Sequence, residues 1–209
     1  MENINATASR LADQAHPSAQ RNIGPIHETL SPLLPEVGLV LEIASGSGYH
    51  SAVLAETHTS LTWQPTDQDT EAQTKITRMV ADAALPNLRP PLVLDAMSDK
   101  WPVDEAAAIL CCNMIHIAPW SVAQGLFAGA GRTLIGGGVF FLYGPFKIDG
   151  QNTAESNESF EQWLSDQNPE WGVRDASDVD ALAHDADLAL EKCIEMPANN
   201  MIRVYRRSA

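Results

Sequence analysis

Cysteine is scarce in this chain, basic residues are outnumbered, and no long apolar run occurs; each shortage removes a class of explanation. The three cysteines, Cys111, Cys112 and Cys193, form neither a disulfide framework nor a zinc spacing. Two are adjacent inside an apolar run, where successive strand side chains face opposite ways, and the third stands alone, so buried inert thiols are expected. Lys and Arg total 13 against 27 Asp and Glu, a net charge of −14. That balance disfavours a nucleic-acid partner, because such proteins present a basic stripe to phosphate. No stretch approaches the roughly 20 apolar residues that span a bilayer, and the first residues lack the basic start and apolar run of a secretory signal. A cytoplasmic protein with no membrane partner is expected. The histidines His27, His50, His58 and His184 are scattered without a third ligand at helical spacing, so no metal site is expected.

What is present is an alternation. Residues 1–17 are polar and unpatterned, and His16-Pro17 argues against a helix through that point, so they are expected to be a flexible lead-in. The remainder, 18–209, is expected to form a single domain. Ile23, Ile26, Leu30, Leu33 and Leu34 have helical spacing despite Pro25 and Pro32, implying one helix or a broken pair. Then apolar runs at 38–44, 61–67, 91–96, 106–115 and 137–146 read as strands, with helices over 48–57, 69–84 and 119–134. Near-continuous apolar strands separated by helices imply a parallel sheet covered on both faces, a doubly wound Rossmann-like α/β fold with its ligand at the strand C-termini. Helices are expected at 155–167 and 178–186. The last two extended stretches, 188–196 and 201–207, are joined by Pro197-Ala198-Asn199-Asn200, which is turn chemistry, and should form an antiparallel hairpin that brings the sheet to seven strands.

The stretch "LEIASGSGYH" (41–50) follows the first strand. Gly46 and Gly48 permit close backbone approach to a ligand, and the amides that open the next helix favour an anionic or electron-rich group. Asp67, ending the second strand, is placed to accept the hydroxyls of a ribose. Loop plus acid indicates a nucleoside cofactor in one of two registers: G-x-G-x-x-S, a weakened dinucleotide fingerprint, or E-x-A-x-G-x-G, which Glu42 favours. The first would make the chain an NAD(P)-dependent oxidoreductase.

Glu42, the 44–48 loop, Asp67 and the closing hairpin resemble class I S-adenosylmethionine-dependent methyltransferases. Within that class, "RNIGPI" (21–26), "LEIASGSGYH", "WQPTD" (63–67), "NMIHIAPW" (113–120), "YGPF" (143–146) and "MPANN" (196–200) are similar to the family called DUF938 or methyltransferase-like protein 26. The resemblance implies S-adenosylmethionine as cofactor and methyl transfer to a small-molecule acceptor. It implies that Ala44, Gly46 and Gly48 hold the methionine moiety, Asp67 the ribose, and Asp95 and Ala96 the adenine, with Met97 against the ring. Ala44 departs from the class, where glycine is usual. Arg21 and Asn22 are expected to fold over the loop, Arg21 pairing with the methionine carboxylate. Asn113 at the strand tip, His116 as a base of near-neutral pKa, and Tyr143 are the candidates for the acceptor side. Trp120 and Trp171 are candidates for stacking or packing. Asn157 is a weaker pocket candidate, and Asn199-Asn200 are assigned to the turn. No indispensable nucleophile stands out, so a non-catalytic methyltransferase-like binding protein is the other alternative.

Overall fold

The expected alternation of strands and helices is seen in the computed structural model, which describes residues 5–209. The elements are α1 (Asn5–Leu11), α2 (Pro17–Leu30), β1 (Gly38–Ile43), α3 (Tyr49–Thr57), β2 (Leu61–Asp67), α4 (Thr70–Ala83), β3 (Leu92–Val93), β4 (Ala106–Cys112), α5 (Trp120–Thr133) and β5 (Leu134–Gly144). After them come β6 (Phe146–Ile148), β7 (Gln151–Asn152), α6 (Glu155–Gln167), β8 (Arg174–Asp175), α7 (Ala176–Asp185), β9 (Leu188–Met196) and β10 (Asn200–Arg207).

The seven-stranded sheet has the order β3-β2-β1-β4-β5-β10-β9. Strands β1 to β5 pair in parallel, and β10 enters antiparallel between β5 and β9. This is the mostly parallel sheet with a closing hairpin expected from the sequence. The strand order reverses between β1 and β4, the position at which an open α/β sheet generally takes its ligand. The alternating residues of β1 and β4 divide the core. Val40, Ala108, Leu110 and Phe141 face α2 and α3 with Ile23, Ile26 and Val53, while Leu41, Ile43, Ile109 and Leu142 face α5 and α7 with Leu126, Phe127 and Val179. Helix α4 shows why these segments are helical: Asp69 caps its start by accepting from the Ala72 amide at 2.9 Å, and Ala72, Ile76, Met79 and Ala83 form its buried stripe. Among the described residues no helix is long and apolar enough to cross a membrane.

Several boundaries differ from expectation. Of the lead-in, residues 1–4 lie outside the described residues, but α1 is a packed helix rather than a flexible segment. Leu11 is buried in the α2 and α3 core, the Tyr49 hydroxyl donates to the Ala8 carbonyl at 2.8 Å, and Arg10 donates to the Asp82 carbonyl at 2.6 Å. Pro17 indeed ends the preceding helical path, and it does so by opening α2 at its first turn, where the missing N–H is harmless. Helix α2 then runs through Pro25 unbroken. Strand β4 stops at Cys112 because Asn113 takes a left-handed φ of 58°. Strand β3 is short, and the run at 137–146 divides at Pro145 into β5 and β6, the latter joining β7 and β8 in a small second sheet.

Candidate functional site

The loop after β1 is fastened to the end of β2. Ser45 N–H donates to the Thr66 carbonyl at 2.8 Å, Thr66 N–H returns to Ser45 Oγ at 3.1 Å, and Thr66 Oγ1 donates to the Glu42 carbonyl at 2.7 Å. Gly46 N–H donates to Asp67 Oδ2 at 3.0 Å, and Asp69 N–H to Oδ1 at 3.0 Å. The loop and the acid that the sequence placed on separate strands are therefore one unit. Each Asp67 oxygen keeps a lone pair for a further donor. Gly46 is exposed and a Cβ there would meet nothing within 4 Å, so open space lies against its backbone. Gly48 is the N-cap of α3, left-handed at φ 78°, with no side chain satisfying the first-turn amides. Ala44 is also left-handed, at φ 54°, the conformation that its glycine counterpart would adopt without strain.

Beyond Asp67, Leu94 N–H donates to its carbonyl at 3.1 Å, and Gln73 Nε2 bridges that carbonyl and Leu92 O at 2.7 and 2.8 Å. This sets the Asp95-Ala96-Met97 turn beside Asp67. Asp95 Oδ1 accepts from Met97 N–H at 2.9 Å, Ala96 is buried, and Met97 is exposed. Gly125 of α5 lets this turn lie close, since a Cβ there would stand 2.7 Å from the Ala96 carbonyl.

Glu42 is 1% exposed. Its carboxylate accepts from Ser51 Oγ at 2.5 Å and lies 3.5 Å from His50 Nδ1. The other imidazole nitrogen is 2.8 Å from Asn22 Oδ1, so Asn22 does fold onto the loop region. Tyr143 sits on the same sheet face, 4% exposed. Burial pushes the Tyr143 pKa up, the neighbouring Asn22 side chain and Arg21 charge partly offset this, and Cys112 adds to the rise. Arg21 itself is exposed. Asn113 N–H donates to the Tyr143 carbonyl at 2.9 Å, which binds the tip of β4 to that of β5.

His116 does not join this group. Its ring is 0% exposed, packed edge-on to Phe146 with centroids 5.6 Å apart, and neither ring nitrogen has a hydrogen-bond partner among the described residues. Burial, with a smaller contribution from the Arg174 charge, drives its pKa down to about 3, the Gly172 backbone opposing slightly. The near-neutral base expected at this position is thus a neutral core side chain, because Gly144 leaves room for the ring beneath the end of β5. Trp120 and Trp171 also fall outside the group. The Arg174 guanidinium lies 5.6 Å from the Trp120 ring, while donating to the carbonyls of Ile115, Ala118 and Glu170. Trp171 belongs to the turn after α6, its amide bonded to the Asn168 carbonyl. Asn157 is buried, its Nδ2 donating to Thr153 Oγ1 and Asn199 O, so it braces the β9–β10 turn rather than a pocket. In that turn Ala198 and Asn199 are both left-handed, and Asn200 Nδ2 donates to Pro197 O and Ala198 O. His50 and Ser51 are partners of Glu42 that the sequence reading did not connect with it. The available signal was Glu42 itself: a buried carboxylate needs donors, and the next helix supplies a serine and a histidine facing it.

Among the described residues no group of three or more His, Cys, Asp and Glu side chains is placed to hold a metal. What the residues bring together instead is an acid beside an open glycine loop, with no side chain capping the first-turn amides of α3.

Comparison with solved structures agrees with the topology. An O-methyltransferase family protein from Burkholderia thailandensis is similar with a TM-score of 0.75 at 15% identity, over 94% of this chain and 62% of that one. The PH0226 protein from Pyrococcus horikoshii OT3 gives 0.74 at 15%, over 94% of both chains. CalO1, a methyltransferase of calicheamicin biosynthesis in its SAH-bound form, gives 0.69 at 15%, over 99% of this chain and 68% of that one. The chain spans less than two-thirds of the length of the Burkholderia protein. At such identities the likeness establishes the fold, a Rossmann-like methyltransferase fold. A family model described as "Protein of unknown function (DUF938)" matches residues 13–207, and this chain belongs to that family.

Proposed function

We propose that the protein is an S-adenosylmethionine-dependent methyltransferase acting on a small-molecule nucleophile. The observation that carries the reading is the Gly46 to Asp67 unit at the reversal point of the sheet, an open backbone loop locked to the acid that ends β2. CalO1, with the same fold, is seen with SAH bound. When bound, S-adenosylmethionine supplies a methyl group on a cationic sulfonium. Gly46, Gly48 and Ala44 would border its methionine end, with the α3 amides and exposed Arg21 meeting the carboxylate. The spare lone pairs of Asp67 would accept from ribose hydroxyls, and Asp95 and Ala96 would border adenine. Asn113 and Tyr143, at the tips of β4 and β5, would orient the acceptor, and the apolar layer beneath them would limit water. His116 has no part in this scheme. Isothermal calorimetry with S-adenosylmethionine and S-adenosylhomocysteine tests it. Saturable 1:1 heats are expected for both, and no heat with either overturns the reading; NADH titrated under the same conditions decides the oxidoreductase alternative.

A further inference from the structure

Beside the small β7-β6-β8 sheet, where α5 and α7 begin, lies a cavity of about 670 Å³ whose lining includes Trp120, Lys147, Arg174, Asp178 and Leu182. Its size falls within the range of small-molecule sites, roughly 300–1,000 Å³. The lining contains none of the residues that the proposed function places around the cofactor. Arg174 is its unusual member. The half-buried guanidinium is fixed in place: Nε donates to Ile115 O at 3.0 Å, and Nη2 to Ala118 O at 2.6 Å and Glu170 O at 2.8 Å. All three acceptors are neutral carbonyls. Burial lowers the Arg174 pKa, and among the described residues no carboxylate is paired with it to oppose this. Arg203 shows the contrast: at 3% exposure it has Asp180 as its counter-ion. A cation taken partly out of water without a counter-ion is costly, and in a chain with 27 acidic residues its isolation needs a reason.

The acids of the lining are otherwise engaged or outside. Asp175 caps α7: its Oδ1 accepts from Ser177 N–H at 2.9 Å and from the Ser177 hydroxyl at 2.7 Å, and its Oδ2 accepts from Gly150 N–H at 2.6 Å. Asp178 is exposed. Nη1 of Arg174 makes no hydrogen bond to a described residue, so its two protons are available to a ligand. Lys147, paired with Glu161, adds a second cation to the wall. Apolar surface comes from Val173, Ala181, Leu182 and the Trp120 ring, whose centroid lies 5.6 Å from the Arg174 guanidinium carbon. A fixed guanidinium edge next to flat apolar surface suits a carboxylate carried on a ring. The carboxylates of Asp175 and Asp178 in the same lining repel a second negative charge, which disfavours phosphate esters and nucleotides.

We propose that this cavity is a second small-molecule site, which takes a singly charged carboxylate borne on a flat apolar ring, the carboxylate accepting from Arg174 Nη1 and the ring lying against Trp120. The ligand supplies the counter-ion that the fold withholds from Arg174. The site is separate from the glycine loop and does not rest on the methyltransferase reading.

The test uses the full chain with cinnamate as the probe and cinnamamide as its uncharged counterpart. Calorimetry should give saturable binding of cinnamate with a Kd of about 1 mM or tighter, and binding of cinnamamide at least about tenfold weaker. In nuclear magnetic resonance of the 15N-labelled protein, cinnamate should shift the Trp120 indole N–H, identified by its loss in Trp120→Phe, together with the Arg174 Nε–H. Arg174→Gln should weaken cinnamate binding at least about tenfold. No binding of cinnamate at about 10 mM, equal affinity for acid and amide, or shifts that leave Trp120 and Arg174 untouched would each overturn the proposal. Should Arg174→Gln fail to fold, since the side chain also anchors the loop at Ile115 and Ala118, the acid and amide comparison and the location of the shifts decide. Titration with S-adenosylhomocysteine is read separately: its failure to bind overturns the cofactor assignment and leaves this site standing.

Discussion

His116 should make the fold acid-labile, and by an amount that the structure sets. Its pKa is about 3 in the folded protein and about 6.5 in the unfolded chain. A histidine with a depressed folded pKa stays neutral when folded while the unfolded chain takes up a proton, so stability is full above about pH 6.5 and falls as the pH drops towards 3. At about 1.4 kcal/mol per pH unit, the loss between pH 8 and pH 5 is about 2 kcal/mol, approaching about 5 kcal/mol near pH 3. His116→Leu removes the titration without removing a side-chain hydrogen bond, since neither ring nitrogen has a partner. Its backbone carbonyl still accepts from Gly172 N–H. Urea denaturation of both proteins, followed by tryptophan fluorescence at pH 8, 6 and 5, reads the difference. Other ionisable groups, including His27, whose pKa burial lowers, act alike in both proteins and cancel. The variant should lose about 2 kcal/mol less than the parent between pH 8 and pH 5. Parallel pH profiles, within about 0.5 kcal/mol, would show that the ring is hydrated or paired in solution and would refute the argument.

Gly144→Ala places a methyl group 2.3 Å from His116 Nε2, an overpacking expected to cost about 1–3 kcal/mol in chemical denaturation. Asp180→Ala leaves Arg203, 3% exposed, without the carboxylate that it shares with the Tyr205 hydroxyl. A loss of about 3 kcal/mol or more is expected, and Asp180→Ala combined with Arg203→Met should recover most of it. Asp67→Asn turns one of two acceptors facing backbone amides into a donor. Calorimetry should then show S-adenosylmethionine binding at least about tenfold weaker, about 1.4 kcal/mol.

The sheet was legible because its strands are buried on both faces and so read as unbroken apolar runs, and because Pro197 to Asn200 spells a turn. The glycine loop and the acid bonded to it were legible because small residues, an acid before them and an acid after the next strand are all local signals. Residues whose role depends on depth were not. His116 follows a strand tip by one short turn, and nothing in that offset says that Gly144 opens a slot for its ring. His50 adjoins the loop in sequence, yet its partner Asn22 comes from a helix that precedes the first strand. Helix α1 has too few apolar residues to show a period, and it is held by tertiary contacts through Leu11, Ala8 and Arg10. The small sheet is built of strands of two or three residues, below the length at which alternation can be seen.

The position of β10 also governs the order in which the molecule can be completed. Parallel pairing of β1, β2, β4 and β5 can form as the chain emerges, but the Val139–Gly144 margin of β5 waits for residues 201–206. Strand β9, though made earlier, meets the sheet only through β10. Until then a nascent chain carries an open apolar edge of Phe140, Phe141 and Leu142, the kind of margin that invites pairing with another chain. Once β10 is seated, the outer margin is β9, whose exposed Glu191, Lys192 and Glu195 discourage such pairing. The last strands to be made are thus the ones that close the apolar margin of the sheet.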